Sequence, residues 1–131
     1  MSGTNLNNRI RLALSRVAIL FRNNRGKGWF GKGVKLDDGS VIIRAPRWIE
    51  FGLVNGAADT VGWTPKVITP DMVGKTVAVF TGIEGKFGND TPSEAQEIFV
   101  ANVLRDGGIA GFAHSEDEAR ALVASWSPVQ R

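Results

Sequence analysis

The chain has 131 residues, no cysteine and one histidine, with 43% hydrophobic and 22% charged side chains. This composition excludes disulfides, thiolate metal sites and a multi-histidine zinc centre, and no apolar run approaches the roughly 20 residues a bilayer-spanning helix needs. Sixteen basic side chains against thirteen acidic give a formal charge of +3, and the length suits one globular domain.

The excess is unevenly placed. Arg9, Arg11, Arg16, Arg22, Arg25, Lys27, Lys32 and Lys35 all fall within the first 35 residues, which hold no acid. Such clustering is the electrostatic footprint of a phosphate-backbone binder, and equally of a solvated positive surface without a partner. Residues 1–8 carry no apolar stretch of the secretion-signal kind, so the expected compartment is the cytoplasm.

Leu6, Ile10, Ala13, Leu14 and Val17 recur at helical spacing, which predicts an amphipathic helix from Asn5 to Ser15 or Val17. Ala18 to Arg22 then reads as a first strand. From Asn23 to Gly33 glycine and basic residues dominate, and the segment reads as loop. Asp37-Asp38-Gly39, between Gly33–Leu36 and Ser40–Arg44, is a strong hairpin turn signal. Trp29 and Phe30 stand beside Arg25, Lys27 and Lys32. Rings mixed with cations can stack on bases while the cations grip phosphates, or can cap one end of a core.

Pro46 to Phe51 reads as a further short strand. Asp59 to Ile68 reads as a strand interrupted at Gly62 and Pro65, and Asp71 to Lys75 as the turn into an apolar strand over Thr76 to Glu84. The two would form a second hairpin that sets Asp59 near Glu84. Thr91-Pro92-Ser93-Glu94 offers an N-cap, a proline at the first helical position and a glutamate three residues after the cap. That helix should end at Asp106-Gly107-Gly108. Ile109 to Ala113 is a short apolar strand, and Ser115 to Glu118 is a second capping box that starts a last helix to about Ser125, with Pro128 and the tail loose. The strand–helix–strand unit from Thr76 to Ala113 is a crossover and should be parallel. The expected fold class is α/β, a single domain with a mixed sheet flanked by helices, in the order αβββαβ.

Chemistry concentrates between Val77 and Gln96. Alternate residues of a strand leave on one face, so Glu84 and Lys86 should point together from the end of a buried strand. With Asp59 brought alongside, two carboxylates and an ammonium form a minimal kit for divalent-metal phosphodiester hydrolysis. An acid and a lysine two apart also occur on ordinary solvated strands. An all-oxygen donor set favours magnesium or manganese. His114 reads as a structural residue at a strand end. Ile49, Phe51 and Trp63 serve either core or a dimer contact.

The blocks Phe21-Arg22-Asn23-Asn24-Arg25-Gly26, Gly52 to Trp63, Val79 to Lys86, Thr91 to Gln96 and Gly107 to Gly111 occur in the order found in a known group. In them the chain resembles the virus-type replication-repair nuclease (VRR-NUC) family, within the PD-(D/E)xK superfamily. The resemblance implies a metal-dependent endonuclease for branched, flapped or junction DNA. It further implies a Holliday-junction-resolvase-like homodimer, encoded by a phage or prophage and at work in the bacterial cytoplasm. It places Asp59, Glu84 and the backbone carbonyl of Gly85 on Mg2+ or Mn2+, makes Lys86 the catalytic lysine, and sets Gln96 on the helix behind the site. Arg22, Arg25, Lys27 and Lys32 would contact phosphates.

Three positions depart from the pattern. Asn7 or Asn8 stands where the first helix usually carries an acid, Gly85 where a β-branched residue is frequent, and Ala58 where serine or proline is frequent. A DNA-binding module without turnover, a sequence-specific restriction-type enzyme and a phage interaction protein with no DNA role are the competing readings.

Overall fold

The computed structural model describes residues 3–127, with side chains from Asn5 onward; Pro128 and the expected loose tail lie outside the described residues. Two compact units divide between Gly62 and Trp63.

The first unit runs through α1 (Gly3–Ala13), β1 (Ile19–Arg22), β2 (Gly26–Lys35), β3 (Val41–Phe51) and β4 (Thr60–Trp63). The helix is shorter than its periodicity indicates, and the chain leaves it through turns, with Leu14 N–H on Ile10 O and Ala18 N–H on Leu14 O, both 3.0 Å. β1 pairs with β4. Gly62 lies where those strands meet, and a Cβ there would come 1.8 Å from the Ile19 carbonyl oxygen. The residue read as an interruption is therefore what lets the two backbones approach.

β2 and β3 form a long antiparallel hairpin from Gly26↔Phe51 to Lys35↔Val41, with one irregularity between Phe30 and Lys32. Its turn is the one expected: Leu36 N–H donates to Ser40 O (2.8 Å), Gly39 takes φ +87°, and Asp38 Oδ1 accepts from Ser40 N–H at 2.9 Å. These Ser40 bonds, the hydroxyl's first, hold the Asp38 carboxyl below its ordinary value. The segment read as loop from Asn23 to Gly33 is strand from Gly26 onward, and the short strand at Pro46–Phe51 is the far half of β3. Glycine weakens a strand in isolation, but β3 supplies the β-branched and aromatic partners that fill the gaps. A Cβ at Gly26 would meet the Phe51 ring at 2.7 Å, so the ring occupies the space a side chain would take.

The second unit contains a 3-10 turn (Pro70–Met72), β5 (Thr81–Gly85), α2 (Glu94–Arg105), β6 (Ile109–Ala113) and α3 (Glu116–Ala124). β5 and β6 are parallel, in register from Thr81↔Ile109 to Gly85↔Ala113, as a crossover through α2 requires. Val103 of α2 and Ile109, Ala110 and Ala113 of β6 are buried. Trp63, Phe80 and Phe99 make a ring cluster, with centroids 4.7 Å apart for Trp63–Phe80 and 5.9 Å for Trp63–Phe99. Trp63, half-buried, thus packs within this unit's ring cluster. Its Nε1–H donates to Asp106 Oδ2 at 2.9 Å. Arg105 and then that indole bond hold the Asp106 carboxyl below its ordinary value.

The α/β character is as expected: three helices accompany parallel and antiparallel strands. The sheet arrangement differs. The described strands form three two-stranded sheets, β1–β4, β2–β3 and β5–β6, where one mixed sheet was expected. The second hairpin is absent from these pairings, because β4 takes β1 as its partner and β5 takes β6. Each expected strand is also shorter: β4 stops at Trp63 and β5 starts only at Thr81. Apolar content marked Val77 to Phe80 as strand, but a ladder needs a partner as well as a pattern. No described helix is long and apolar enough to cross a membrane.

Candidate active site

The second unit's site is built at the C-terminal end of β5. Lys86 N–H donates to the Ala113 carbonyl at 2.9 Å, which carries the ladder one residue past the strand. That keeps the alternation of the strand through Glu84 and Lys86, so both side chains reach the first turn of α2.

There they meet Gln96. Its Nε2 donates to Glu84 Oε1 at 2.9 Å, and its Oε1 accepts from Lys86 Nζ at 2.7 Å. The same Oε1 accepts from Ser93 N–H at 3.0 Å, while Ser93 Oγ accepts from Gln96 N–H at 3.1 Å. Two donors on Oε1 and a carboxylate on Nε2 leave the amide only one sensible orientation. Gln96 therefore closes a capping box and links the acid to the lysine in one side chain.

Sequence reasoning placed this cap two residues early. Ser93 is the N-cap and Gln96 the third helical residue, where Thr91 and Glu94 were expected. Both tetrads satisfy the capping pattern, and the second, the one formed, also sets its third helical side chain onto Lys86.

Among the described residues Lys86 is the only buried charged one, and its side chain is 6% exposed. Burying an ammonium is costly without partners. Gln96 supplies the close one, and Asp90 Oδ2 stands farther off at 3.7 Å. A cleft of about 280 Å³ opens beside the group, lined by Gly82, Glu84, Gln96 and Phe99 among others. Gly85 faces open space, for a Cβ there would meet no heavy atom within 4 Å.

In the first unit, Asp59 is exposed and immediately precedes β4. Its segment is held by a residue that sequence reasoning left without a role. Asn23 N–H donates to the Asp59 carbonyl at 2.8 Å, Asn23 Nδ2 donates to Ala58 O at 3.0 Å, and Asn23 Oδ1 accepts from Leu53 N–H at 2.9 Å. One residue, through its side chain and its backbone N–H, thus pins both ends of the turn from Leu53 to Asp59. The signal that could have found it is an amide directly after a strand, since asparagine side chains commonly satisfy loop backbone.

The four expected phosphate contacts separate. Arg25 Nε donates to Leu53 O at 3.0 Å, so that residue also braces the Asp59 turn. Lys27 pairs with Glu50 at 3.2 Å. Arg22 is half-buried, with its Nε lacking a hydrogen-bond partner. Lys32 is exposed and lies opposite Arg44 in the hairpin.

Asn7 is half-buried and Asn8 exposed on α1. His114 directly follows β6, and Glu118 accepts from both its backbone N–H (2.6 Å) and its ring Nδ1 (3.0 Å). These bonds, the backbone one first, hold the Glu118 carboxyl below its ordinary value.

No group of three or more acidic or histidine side chains suited to sharing one ion occurs among the described residues. The donors on hand are single carboxylates and backbone carbonyls. Magnesium accepts such a set, because it keeps several waters and needs only one or two protein carboxylates. No family model, curated protein or solved structure matches the chain.

Proposed function

We propose that the chain is a metal-dependent DNA endonuclease of the PD-(D/E)xK kind, resembling the virus-type replication-repair nucleases and acting on branched DNA as a homodimer. The observation that carries the reading is the Glu84–Gln96–Lys86 chain of hydrogen bonds at the end of β5. An acid, an amide and a buried lysine locked together beside an open cleft make poor sense as a solvated face.

The roles follow from the chemistry. A bound Mg2+ or Mn2+ would supply Lewis acidity at the phosphate and a nucleophilic water at neutral pH. Glu84 offers the carboxylate to hold it, fixed in direction by the Gln96 amide. By the resemblance, Asp59 would be the second carboxylate and the Gly85 carbonyl a further oxygen. Lys86, dry and already aimed, stabilises negative charge that develops on the phosphoryl oxygens and orients the attacking water. Gln96 is a positioning residue that keeps the other two in place. Hydrolysis then leaves one phosphate-bearing end and one hydroxyl end.

The test is cleavage of junction, flap and blunt duplex DNA by the parent, Lys86→Ala, Glu84→Gln and Asp59→Asn, with Mg2+, with Mn2+ and with chelator. The parent should cut only with metal and the variants should not. Equal cutting by parent and Lys86→Ala would remove the site from consideration. A non-catalytic DNA-binding module is the second reading, favoured by Asn7 and Asn8 standing where an acid would add a third ligand. Tight binding of junctions with no cutting in Mn2+ would select it.

A further inference from the structure

The β2–β3 hairpin carries features that hydrolysis leaves unexplained. Its two strands pair along their length, and large rings are exposed on it: Trp29 60%, Phe30 53% and Trp48 55%. Trp29 and Trp48 are cross-strand partners, edge to face with centroids 5.1 Å apart. Their sequence neighbours Phe30 and Arg47 pair on the other side of the ribbon, with the guanidinium 5.1 Å from the ring centroid. Alternation puts these two pairs on opposite faces, so the ribbon presents an aromatic platform each way.

The cations are arranged against the hairpin's own stability. Lys32 stands directly opposite Arg44, next to the irregularity at Gly31, and like charges so placed are destabilising. Among the described residues, the ion pairs of the hairpin engage only Lys27. An isolated two-stranded ribbon is marginal in water to begin with. Keeping exposed tryptophans and opposed cations on it is economical only if an anion with flat faces completes it.

We infer that this hairpin is an arm for unpaired nucleotides: bases stack on the Trp29–Trp48 and Phe30–Arg47 pairs, and Lys32 with Arg44 holds the adjoining phosphates. Bases inside a duplex are already stacked, so exposed rings select a strand that has left its helix, as at a flap or branch point. A second copy of this chain is the poorer occupant, because five cations on each hairpin (Lys27, Lys32, Lys35, Arg44, Arg47) against Asp37, Asp38 and Glu50 would repel. The inference rests on the nuclease reading for the nature of its substrate and names what that substrate must offer.

The experiment separates the two readings by measuring binding in chelator. Anisotropy of a labelled single strand, a flap and a blunt duplex is recorded for the parent, Trp29→Ala/Trp48→Ala and Trp29→Phe/Trp48→Phe, with circular dichroism as the check on folding. The alanine variant should lose about tenfold or more on single strand and flap, and less than about threefold on blunt duplex. The phenylalanine variant, which keeps flat rings, should recover most of that loss. Equal affinities of all three proteins for every DNA would overturn the arm. So would a dimer that the alanine variant splits into monomers while DNA binding stays unchanged, since the occupant would then be another copy. A parent that prefers flaps through these tryptophans yet cuts nothing in Mg2+ or Mn2+ supports the arm and overturns only the nuclease reading.

Discussion

Lys86 in the second unit and the Lys32–Arg44 pair in the first are basic groups in opposite situations. Lys86 is withdrawn from water and held by Gln96, which is itself held by the helix cap and by Glu84. Lys32 and Arg44 are exposed and face each other with no acid among their described ion-pair partners. A group that must meet one phosphoryl oxygen gains from being fixed before the substrate arrives. Groups that follow a flexible strand gain from staying mobile and solvated. The same contrast runs through the amides: Gln96 fixes two charged side chains, whereas Asn23 fixes backbone.

The contrast breaks most sharply at Lys86. Lys86→Ala and Glu84→Gln should each lower the cleavage rate about 100-fold or more while far-UV circular dichroism stays unchanged. A loss under about threefold would make the buried lysine a structural residue.

Gln96 sharpens it, because its two functions can be taken apart. Gln96→Glu keeps an oxygen for Ser93 N–H and Lys86 Nζ but sets a carboxylate against Glu84. Activity should fall about tenfold or more with the melting temperature nearly unchanged. Gln96→Ala removes the cap bond and the close partner of the buried Lys86 ammonium, and should cost about 2 kcal/mol or more of stability in a denaturant titration.

On the hairpin, Lys32→Gln/Arg44→Gln should weaken binding to single strand and flap more than to blunt duplex, and lower the slope of log K against log salt on single strand by about 1.4. Removing opposed charges should leave the free protein as stable or slightly more so. Asn23→Ala should cost about 1 kcal/mol, with faster proteolysis between Leu53 and Asp59 and an activity loss that extra metal partly restores.

The smallest effect is on pH. The Asp106 carboxyl is held below the ordinary aspartate value near 3.8 by Arg105 and the Trp63 indole. A carboxyl depressed in the folded state contributes stability that is fully present above that value and is lost as pH falls through the folded one. The melting temperature of the parent should therefore drop below about pH 4 more steeply than that of Asp106→Asn. Parallel curves would mean that the Trp63–Asp106 bond contributes nothing to folding.

Local chemistry made much of this legible in the residues. The Asp37-Asp38-Gly39 turn, the Ser115 cap and the parallel crossover from β5 to β6 each depend on neighbours in the chain or on a handedness rule, and each stands where expected. The placement of Glu84 and Lys86 toward one side follows from a strand's period of two and needed no partner to be read. What went astray depended on partners. A glycine-rich run became strand because β3 lies beside it, an apolar run stayed outside the ladder at Val77 to Val79, and Gly62 marked a close approach where a break was expected.

The sequence by itself determined which groups this protein has to work with: hard oxygen donors, a lysine two residues after an acid at Glu84 and Lys86, and rings among cations with no acid before residue 37. Only the tertiary structure decided that the helix cap at Ser93 would deliver Gln96 onto both Glu84 and Lys86, and that Asn23 would reach across thirty residues to Leu53. The physical reason is that a periodic pattern fixes the direction of a side chain along its own element. Which second element stands there to receive it is set by packing among residues far apart in the chain.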